Sequence, residues 1–257
     1  MPIRDLVTLV QTPTQEPHWV VKGILPRGSM TVLAGEAGTG KSLLCYHLSL
    51  CAALGLPFLG TYATCQTRVL YIDEENGLPD ATRYWQWSWR GAGCPDPATL
   101  RAITFAHMAL GHAWESTLLT LAKTHQPGLI IIDTATPALQ IIDENDNAEA
   151  SRKIQTLRTA QAAADNETAI VVLKHAKVQD EKGHRRTIRG AKTWLGSVDS
   201  VLFHSYNVGR PGKLRQTLLT PDKVRAFGLD HSIKITPSWT AADEPKGLVL
   251  KGSVVTE

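Results

Sequence analysis

Residues 35–42 form the glycine-rich run GEAGTGKS. It matches the pattern G-x-x-x-x-G-K-[ST], follows an apolar predicted strand at residues 30–34 and precedes a predicted helix at residues 41–54. This order predicts a loop whose backbone N–H groups surround phosphate oxygens at a helix N-terminus. The alternative, a chance glycine-rich turn, is disfavoured because both flanking elements are present.

The loop is therefore predicted to bind a nucleoside triphosphate. Lys41 would reach the β and γ phosphates, and the Ser42 hydroxyl would bind Mg²⁺. The complete predicted binding set is Gly35, Glu36, Ala37, Gly38, Thr39, Gly40, Lys41, Ser42 and Leu43.

Short apolar runs then alternate with helical stretches. Further strands are predicted at residues 68–73, 100–106, 129–133 and 169–173, and helices at 79–91, 114–124 and 148–165. This alternation predicts an α/β fold with a mainly parallel sheet covered by helices on both faces. Segments 198–205, 214–220 and 232–236 resemble antiparallel strands that extend the sheet. We expect a single domain over residues 1–238, followed by a polar and poorly ordered tail at 239–257.

The composition of this 257-residue chain bears on its partners, its compartment and whether it spans a membrane. A net charge of +3 is too small to indicate a nucleic-acid partner by itself. The four cysteines form no C-x-x-C pair, which favours a reducing, cytoplasmic location. The most apolar stretch, residues 43–60, contains His47 and is broken by Gly55 and Pro57, so we interpret it as a buried helix and a turn, not a membrane span.

Carboxylates follow two of the predicted strands. Asp133 ends the run LIIID, where a side chain points into the ligand crevice of a parallel sheet and suits magnesium. The alternative for Asp133 is a helix cap. Asp73, Glu74 and Glu75 follow the strand VLYI, and one of them would polarise the attacking water unless the group is a solvated acidic turn. Strand alternation does not choose among the three.

These residues resemble the RecA-like AAA-ATPases related to RepA-type hexameric replicative helicases of plasmids and phages. The resemblance covers roughly residues 17–228. Its motifs are WVVKGILPRGSMTVLAGEAGTGKS, LPFLG, RVLYIDEEN, LIIIDT, DENDNAE, VVLKHAKV, IRGAKTW and VDSVL.

The resemblance implies a RecA-like fold, ATP and Mg²⁺ as cofactors, and a catalytic glutamate at Glu75. It also implies that the strand ending at His175 lies between the P-loop strand and the strand of Asp133, which puts His175 at a γ-phosphate sensor position. A structural histidine is the alternative. The family often has two histidines here, whereas this chain has Lys174 and His175.

The pair Lys223 and Arg225 looks like the K-x-R finger that hexameric RecA-type motors insert into a neighbouring subunit's active site. An arginine supplied in trans stabilises transition-state charge, so the resemblance implies a homo-oligomer, with a hexameric ring favoured. The pattern is short, and a charged turn is the alternative.

The segment between residues 174 and 192 is basic, with Asp180 and Glu181 as its acidic residues. The residues that we predict to bind single-stranded DNA are Lys177, Lys182, Arg185, Arg186 and Arg189. A solvated charged hairpin is the alternative, and Arg189 also matches a family position that can sense nucleotide.

Three function hypotheses follow. The first is a ring-forming helicase or translocase that acts with replication or mobile-element proteins. The second is an ATP-dependent switch that loads or regulates a protein partner, and the third is a filament-forming recombination-type ATPase. The alternating Trp85, Trp87 and Trp89 predict either a cover for the sheet edge or a subunit contact.

Overall fold

The computed structural model describes residues 5–13, 16–108, 110–165, 167–178, 186–188, 190, 192–206, 215–225, 228–241 and 245–255. Within these ranges seven α-helices are found. They are α1 (Leu6–Gln11), α2 (Lys41–Leu54), α3 (Leu78–Gly91), α4 (Trp114–His125), α5 (Ala135–Ala138), α6 (Asn147–Ala164) and α7 (Thr193–Ser197).

Twelve strands occur in the same described ranges. They are β1 (Trp19–Val21), β2 (Leu25–Pro26), β3 (Met30–Gly35), β4 (Val69–Asp73), β5 (Ile103–His107), β6 (Leu129–Asp133), β7 (Ala169–Val178), β8 (Arg186–Ile188), β9 (Ser200–Tyr206), β10 (Thr217–Val224), β11 (Ile233–Trp239) and β12 (Leu248–Val254). Short 3₁₀ helices cover Pro97–Ala102 and Gly111–Ala113.

The central sheet has the order β12-β11-β10-β9-β3-β7-β6-β4-β5. Strands β9, β3, β7, β6, β4 and β5 are mutually parallel, and β10, β11 and β12 extend the sheet antiparallel beyond β9. The predicted position of β7, between β3 and β6, is confirmed. The carboxyl ends of β3, β4, β6 and β7 therefore lie side by side, with Asp73 opposite Asp133 and Gly35 opposite His175.

Helices cover both faces of the sheet because the parallel strands are apolar on both sides. All six residues of β3 and all five of β6 are buried. One apolar cluster packs α2 against one face, and a second packs α4 and α6 against the other. This two-sided burial is typical of parallel sheets built from βαβ units.

The C-terminal region differs from the expected tail. Residues 248–254 form β12, which pairs antiparallel with β11 in the same sheet as the P-loop strand. Within β12, Leu248 and Leu250 are buried and Lys251 is exposed. The apolar residues of this short alternating pattern therefore join the core. Because the composition after residue 238 is largely polar, the sequence alone does not predict this strand.

The tryptophans of α3 pack mainly inward. Trp85 lies against the core, with its ring centroid 4.6 Å from that of Tyr46. Trp87 contacts Trp239 at 5.0 Å, and the indole nitrogen of Trp89 donates to the Pro95 carbonyl at 2.9 Å. These contacts fit the predicted covering role. Across the described residues, no helix combines the length and apolarity that crossing a membrane requires.

Candidate active site

The turn between β3 and α2 has the geometry of a phosphate-binding loop. Gly38 (φ 77°) and Gly40 (φ 89°) adopt left-handed backbone conformations that favour glycine. At Gly35 a Cβ atom would lie 2.4 Å from the backbone oxygen of His204, so a side chain has no room there. The loop thus depends on glycine for its curvature and for its close approach to β9.

Lys41 lies across this loop. Its ammonium donates to the carbonyls of Gly35 and Glu36, each at 3.0 Å, and only 6% of the residue is exposed. Burial lowers the pKa of Lys41, while the carboxylates of Glu75 and Asp133 oppose that shift. A cation held at the N-terminus of α2 is suited to phosphate oxygens.

Several of the predicted nucleotide and catalytic residues line one cavity of about 310 Å³. Its lining combines the loop and the start of α2 with residues that follow β4 and β6, with one residue of α3 and with one residue within β7. These residues are Ala37, Gly38, Gly40, Lys41, Ser42, Leu43, Glu75, Asn76, Tyr84, Thr134 and His175. Residues as far apart in the sequence as Ala37 and His175, which are 138 positions apart, therefore line the same pocket.

Asp133 lies buried at the end of β6. Tyr71 donates a hydrogen bond to its Oδ2 at 2.7 Å, whereas Oδ1 is buried with no hydrogen-bond partner among the described residues. Burial raises the pKa of Asp133 to about 7, with the neighbouring carboxylate of Asp73 adding to the rise and the hydroxyls of Tyr71 and Ser42 opposing it. A buried carboxylate oxygen without a partner, close to a serine hydroxyl, is a donor set that fits Mg²⁺.

The three acidic residues after β4 separate into different environments. Asp73 is fully buried and accepts hydrogen bonds from the Tyr46 hydroxyl at 2.5 Å and from the backbone N–H groups of Glu75 (3.1 Å) and Asn76 (2.9 Å). Glu74 accepts from the N–H of Leu110 at 2.9 Å. Both carboxylates thus shape the turn that presents Glu75.

Glu75 faces the cavity. Its side chain is 43% exposed, and its Oε1 lies 3.8 Å from Nε2 of His175, whose side chain is 28% exposed. Glu75 therefore stays open to water within reach of the loop, as activation of a water molecule requires. The geometry brings Glu75 and His175 together at the mouth of the loop.

Lys223 and Arg225 lie elsewhere. β10 runs antiparallel to β9, so both residues sit at the amino-terminal edge of β3 and β9, opposite the edge that carries their own P-loop. Lys223 donates to the carbonyls of Leu195 (2.5 Å), Gly196 (3.1 Å) and Val198 (2.7 Å), and Arg225 donates to Gly196 as well. This position excludes contact with the active site of the same chain.

The predicted nucleic-acid residues are described only in part. Lys177 is exposed near the end of β7, which forms an antiparallel hairpin with β8. Lys182, Arg185 and Arg189 lie outside the described residues, as does the side chain of Arg186. Among the described residues, the β7–β8 pairing places Lys177 beyond His175, at the carboxyl edge of the sheet.

A second cavity, of about 390 Å³, adjoins the loop on the side of β9 to β12. The Tyr206 hydroxyl donates to the Gly38 carbonyl, and the Arg215 guanidinium lies 4.9 Å from the centroid of the Tyr206 ring. The other lining residues are Thr39, Gly40, Leu43, Leu44, His204, Thr217, Ile235, Pro237, Leu248 and Leu250. The buried His204 is kept neutral, because burial and the Lys41 cation lower its pKa to about 3.

Sequence reasoning missed this second cavity and the tyrosines that hold the carboxylates. Tyr71 lies two residues before Asp73 on β4, so strand alternation could have placed it on the same face as that carboxylate. Tyr46 lies on α2 outside any motif, so no sequence signal indicates its role. Tyr206 and Arg215 come from the antiparallel extension, where no sequence pattern indicates a ligand.

A family model described as "AAA domain" matches residues 2–181. No curated protein sequence matches the chain.

Two solved structures share the fold. The RadB recombinase is 19% identical with a TM-score of 0.57, over 82% of this chain and 89% of that one. The flagellar accessory protein FlaH from Methanocaldococcus jannaschii is 13% identical with a TM-score of 0.58, over 92% of this chain and 93% of that one. These similarities confirm the predicted mixed sheet of parallel strands, flanking helices and antiparallel C-terminal strands.

Proposed function

This chain belongs to the AAA domain family of RecA-like P-loop ATPases, and from that premise we propose that it hydrolyses ATP with Mg²⁺ as a ring-forming motor on single-stranded DNA. The observation that carries the hydrolysis proposal is the common cavity of Lys41, Ser42, Glu75 and His175, with Asp133 next to it. Phosphoryl transfer needs these parts and little covalent chemistry from the protein.

Each residue has a role that its surroundings support. Lys41 and the loop N–H groups hold the β and γ phosphates. Ser42 and Asp133 would hold Mg²⁺, which neutralises charge on the phosphate oxygens. Glu75 orients and deprotonates the attacking water, and His175, 3.8 Å from Glu75, senses the γ-phosphate.

The second cavity is suited to the nucleobase. Ile235, Leu248 and Leu250 give it an apolar floor, and the Tyr206–Arg215 pair supplies a flat polar side. Because Tyr206 also bonds the loop at Gly38, base binding and phosphate binding would share one wall. This arrangement supports a nucleoside triphosphate over pyrophosphate or a smaller phosphate ester.

We assign Arg225 to the active site of a neighbouring copy, because its own P-loop lies at the opposite edge of the sheet. Lys223 mainly holds the chain around residues 195–198 through three carbonyls. Either a closed ring or a helical filament would bring the edge of the sheet that carries Arg225 to the cavity of the next subunit.

The DNA role rests on the resemblance to RepA-type helicases and on the exposed Lys177, which lies in β7 where this strand pairs with β8. Lys182, Arg185, Arg186 and Arg189 are the further residues assigned to this role. A recombination-type filament is the second candidate, supported by the fold shared with the RadB recombinase.

Steady-state ATP hydrolysis with and without single-stranded DNA tests the motor proposal, with Lys41→Ala as the inactive control. We expect DNA to stimulate the wild type and the protein to displace an annealed strand. Closed rings in electron micrographs support the motor, and open polymers support the filament. Slow hydrolysis that ignores DNA contradicts both and favours an ATP-dependent switch acting on a protein partner.

Mixing variants tests the neighbouring-subunit role. Arg225→Ala should bind ATP but lose about 10³-fold in rate, as expected for an arginine that stabilises transition-state charge in trans. Mixed with Glu75→Gln, it should recover part of the activity, since some interfaces then combine two intact halves. The exposed Arg101, in the 3₁₀ helix before β5, serves as the control through Arg101→Ala. Absence of recovery at every mixing ratio would contradict the assignment.

A further inference from the structure

An amide side chain lies beside the glutamate that is assigned as the base. Asn76 follows Glu75 in the turn after β4, and both residues line the cavity together with Lys41 and His175. The side-chain nitrogen Nδ2 of Asn76 donates to both carboxylate oxygens of Asp73, at 3.2 Å to Oδ1 and 3.1 Å to Oδ2. Asn76 has no part in the hydrolysis steps proposed above.

The bonding partner of this amide fixes which of its ends faces the cavity. Asp73 is an acceptor on both oxygens, because it also receives the Tyr46 hydroxyl and the backbone N–H groups of Glu75 and Asn76. Only the NH₂ end of an amide donates, so this end must face Asp73. The carbonyl oxygen Oδ1 of Asn76 lies at the other end of the amide, and no group among the described residues donates a hydrogen bond to it.

The backbone of Asn76 is held on both sides. Its N–H donates to Oδ1 of Asp73 at 2.9 Å, and its carbonyl oxygen accepts from Nε2 of His107 at 2.9 Å. Because a carbonyl oxygen only accepts, Nε2 of His107 carries the hydrogen of this bond. The acceptor Oδ1 is therefore fixed in place next to Glu75 before a nucleotide binds, as a group that orients a reactant requires.

Hydrolysis requires a water molecule whose oxygen lies in line with the γ-phosphorus. The two hydrogens of this water point away from the phosphorus, and one of them is bound by the Glu75 carboxylate. We propose that Oδ1 of Asn76 accepts the hydrogen bond from the other, so that Asn76 is a second catalytic residue that orients the attacking water. This role rests on the proposed ATP hydrolysis.

The chemical step leaves Asn76 unchanged. The water oxygen forms a bond to the γ-phosphorus while the bond from this phosphorus to the oxygen that bridges to the β phosphate breaks. One water proton passes to the Glu75 carboxylate, and the other stays on the new phosphate oxygen, where Asn76 still accepts from it. The products are ADP and inorganic phosphate. Glu75 then returns its proton to the solvent, to which its side chain is 43% exposed.

Two substitutions separate this role from a role in shaping the turn. Asn76→Leu keeps the approximate size and removes both the acceptor and the donor, whereas Asn76→Asp keeps an acceptor and places a second carboxylate beside Asp73. We expect kcat to fall about 10- to 100-fold in Asn76→Leu and to be at least about fivefold higher in Asn76→Asp. The melting temperatures should follow the opposite order, because like charges repel. If kcat in Asn76→Asp is equal to or below that of Asn76→Leu, the acceptor role is wrong.

Gln66 provides a matched control outside the cavity. Its amide nitrogen donates to the Ala53 carbonyl at 3.1 Å, at the opposite end of α2 from Lys41. Gln66→Leu should leave kcat within about twofold of the wild type. An equal loss of kcat in Gln66→Leu and Asn76→Leu would overturn the catalytic role, because the loss would not depend on the cavity.

Calorimetry gives a readout that needs no turnover. ADP with Mg²⁺ and aluminium fluoride mimics the transferring phosphoryl group with its in-line water. Asn76→Leu should weaken the binding of this complex about tenfold or more, while the affinity for a non-hydrolysable ATP analogue stays within about threefold of the wild type. Equal weakening of both ligands, or of neither, overturns the proposal. Lack of hydrolysis by the wild type contradicts the proposed function, whereas normal hydrolysis by both the wild type and Asn76→Leu contradicts the role of Asn76 alone.

Discussion

Substituting the acidic residues after β4 one at a time separates structure from catalysis. Asp73→Ala removes the acceptor for the buried Tyr46 hydroxyl and for two backbone N–H groups of the turn. A hydrogen bond to a charged group contributes about 1.5–3 kcal/mol, and part of this turn regains water. We therefore expect a loss of about 3–5 kcal/mol in the free energy of unfolding. For a chain of this length that lowers the melting temperature by about 10 °C.

Glu75→Gln should behave in the opposite way. Its side chain is 43% exposed, so the melting temperature should stay within about 2 °C of the wild type. The amide is no base, and kcat should fall about 10²- to 10⁴-fold while ATP binding persists. Glu74→Gln is the control, because an amide oxygen still accepts from the Leu110 N–H.

Thermal unfolding, ATP binding by calorimetry and steady-state hydrolysis measure the three effects. The assignment is refuted if Glu75→Gln hydrolyses ATP normally. It is also refuted if Asp73→Ala keeps the wild-type melting temperature and loses only kcat, because Asp73 would then be the catalytic carboxylate.

Three further predictions concern the loop, the metal site and the base cavity. Gly35→Ala should weaken ATP binding about 100-fold or more in calorimetry, because its Cβ would lie 2.4 Å from the His204 oxygen; Gly196→Ala, with nothing within 4 Å, should not. Burial raises the pKa of Asp133 from its ordinary value of 3.8 to about 7, so between these two pH values the folded state binds more protons than the unfolded state. Without Mg²⁺, the free energy of unfolding should therefore fall as pH rises from about 4 to 7, and urea denaturation of Asp133→Asn should lack this slope. Arg215→Ala should raise KM for ATP about three- to tenfold with little change in kcat, as expected for loss of one stacking contact; an unchanged KM would contradict the base assignment.

Local sequence patterns carry much of the fold. The apolar runs of β3, β4 and β6 and the glycines of the loop have strong short-range signals, so their predicted positions agree closely with the structure. β5 begins later than predicted, at Ile103, because Asp96 caps a 3₁₀ helix over Pro97–Ala102. A prediction from apolar content alone overlooks this local capping signal.

Long-range contacts account for what the sequence does not reveal. The choice among Asp73, Glu74 and Glu75 depends on Tyr46 and Leu110, which lie on other elements. The base cavity requires β10, β11 and β12 to pack beside the loop. Such contacts have no periodicity in the chain, and they appear only when the sheet order is known.

A crystal structure with Mg²⁺ and a non-hydrolysable ATP analogue tests whether the loop and the carboxylates form an ATP-hydrolysing site. We expect the triphosphate within the loop of residues 35–42, Mg²⁺ bound by the Ser42 hydroxyl with Asp133 beside it, and the Glu75 carboxylate facing the γ-phosphate. A nucleotide bound elsewhere, or Glu75 and Asp133 turned away from the γ-phosphate, would contradict the account.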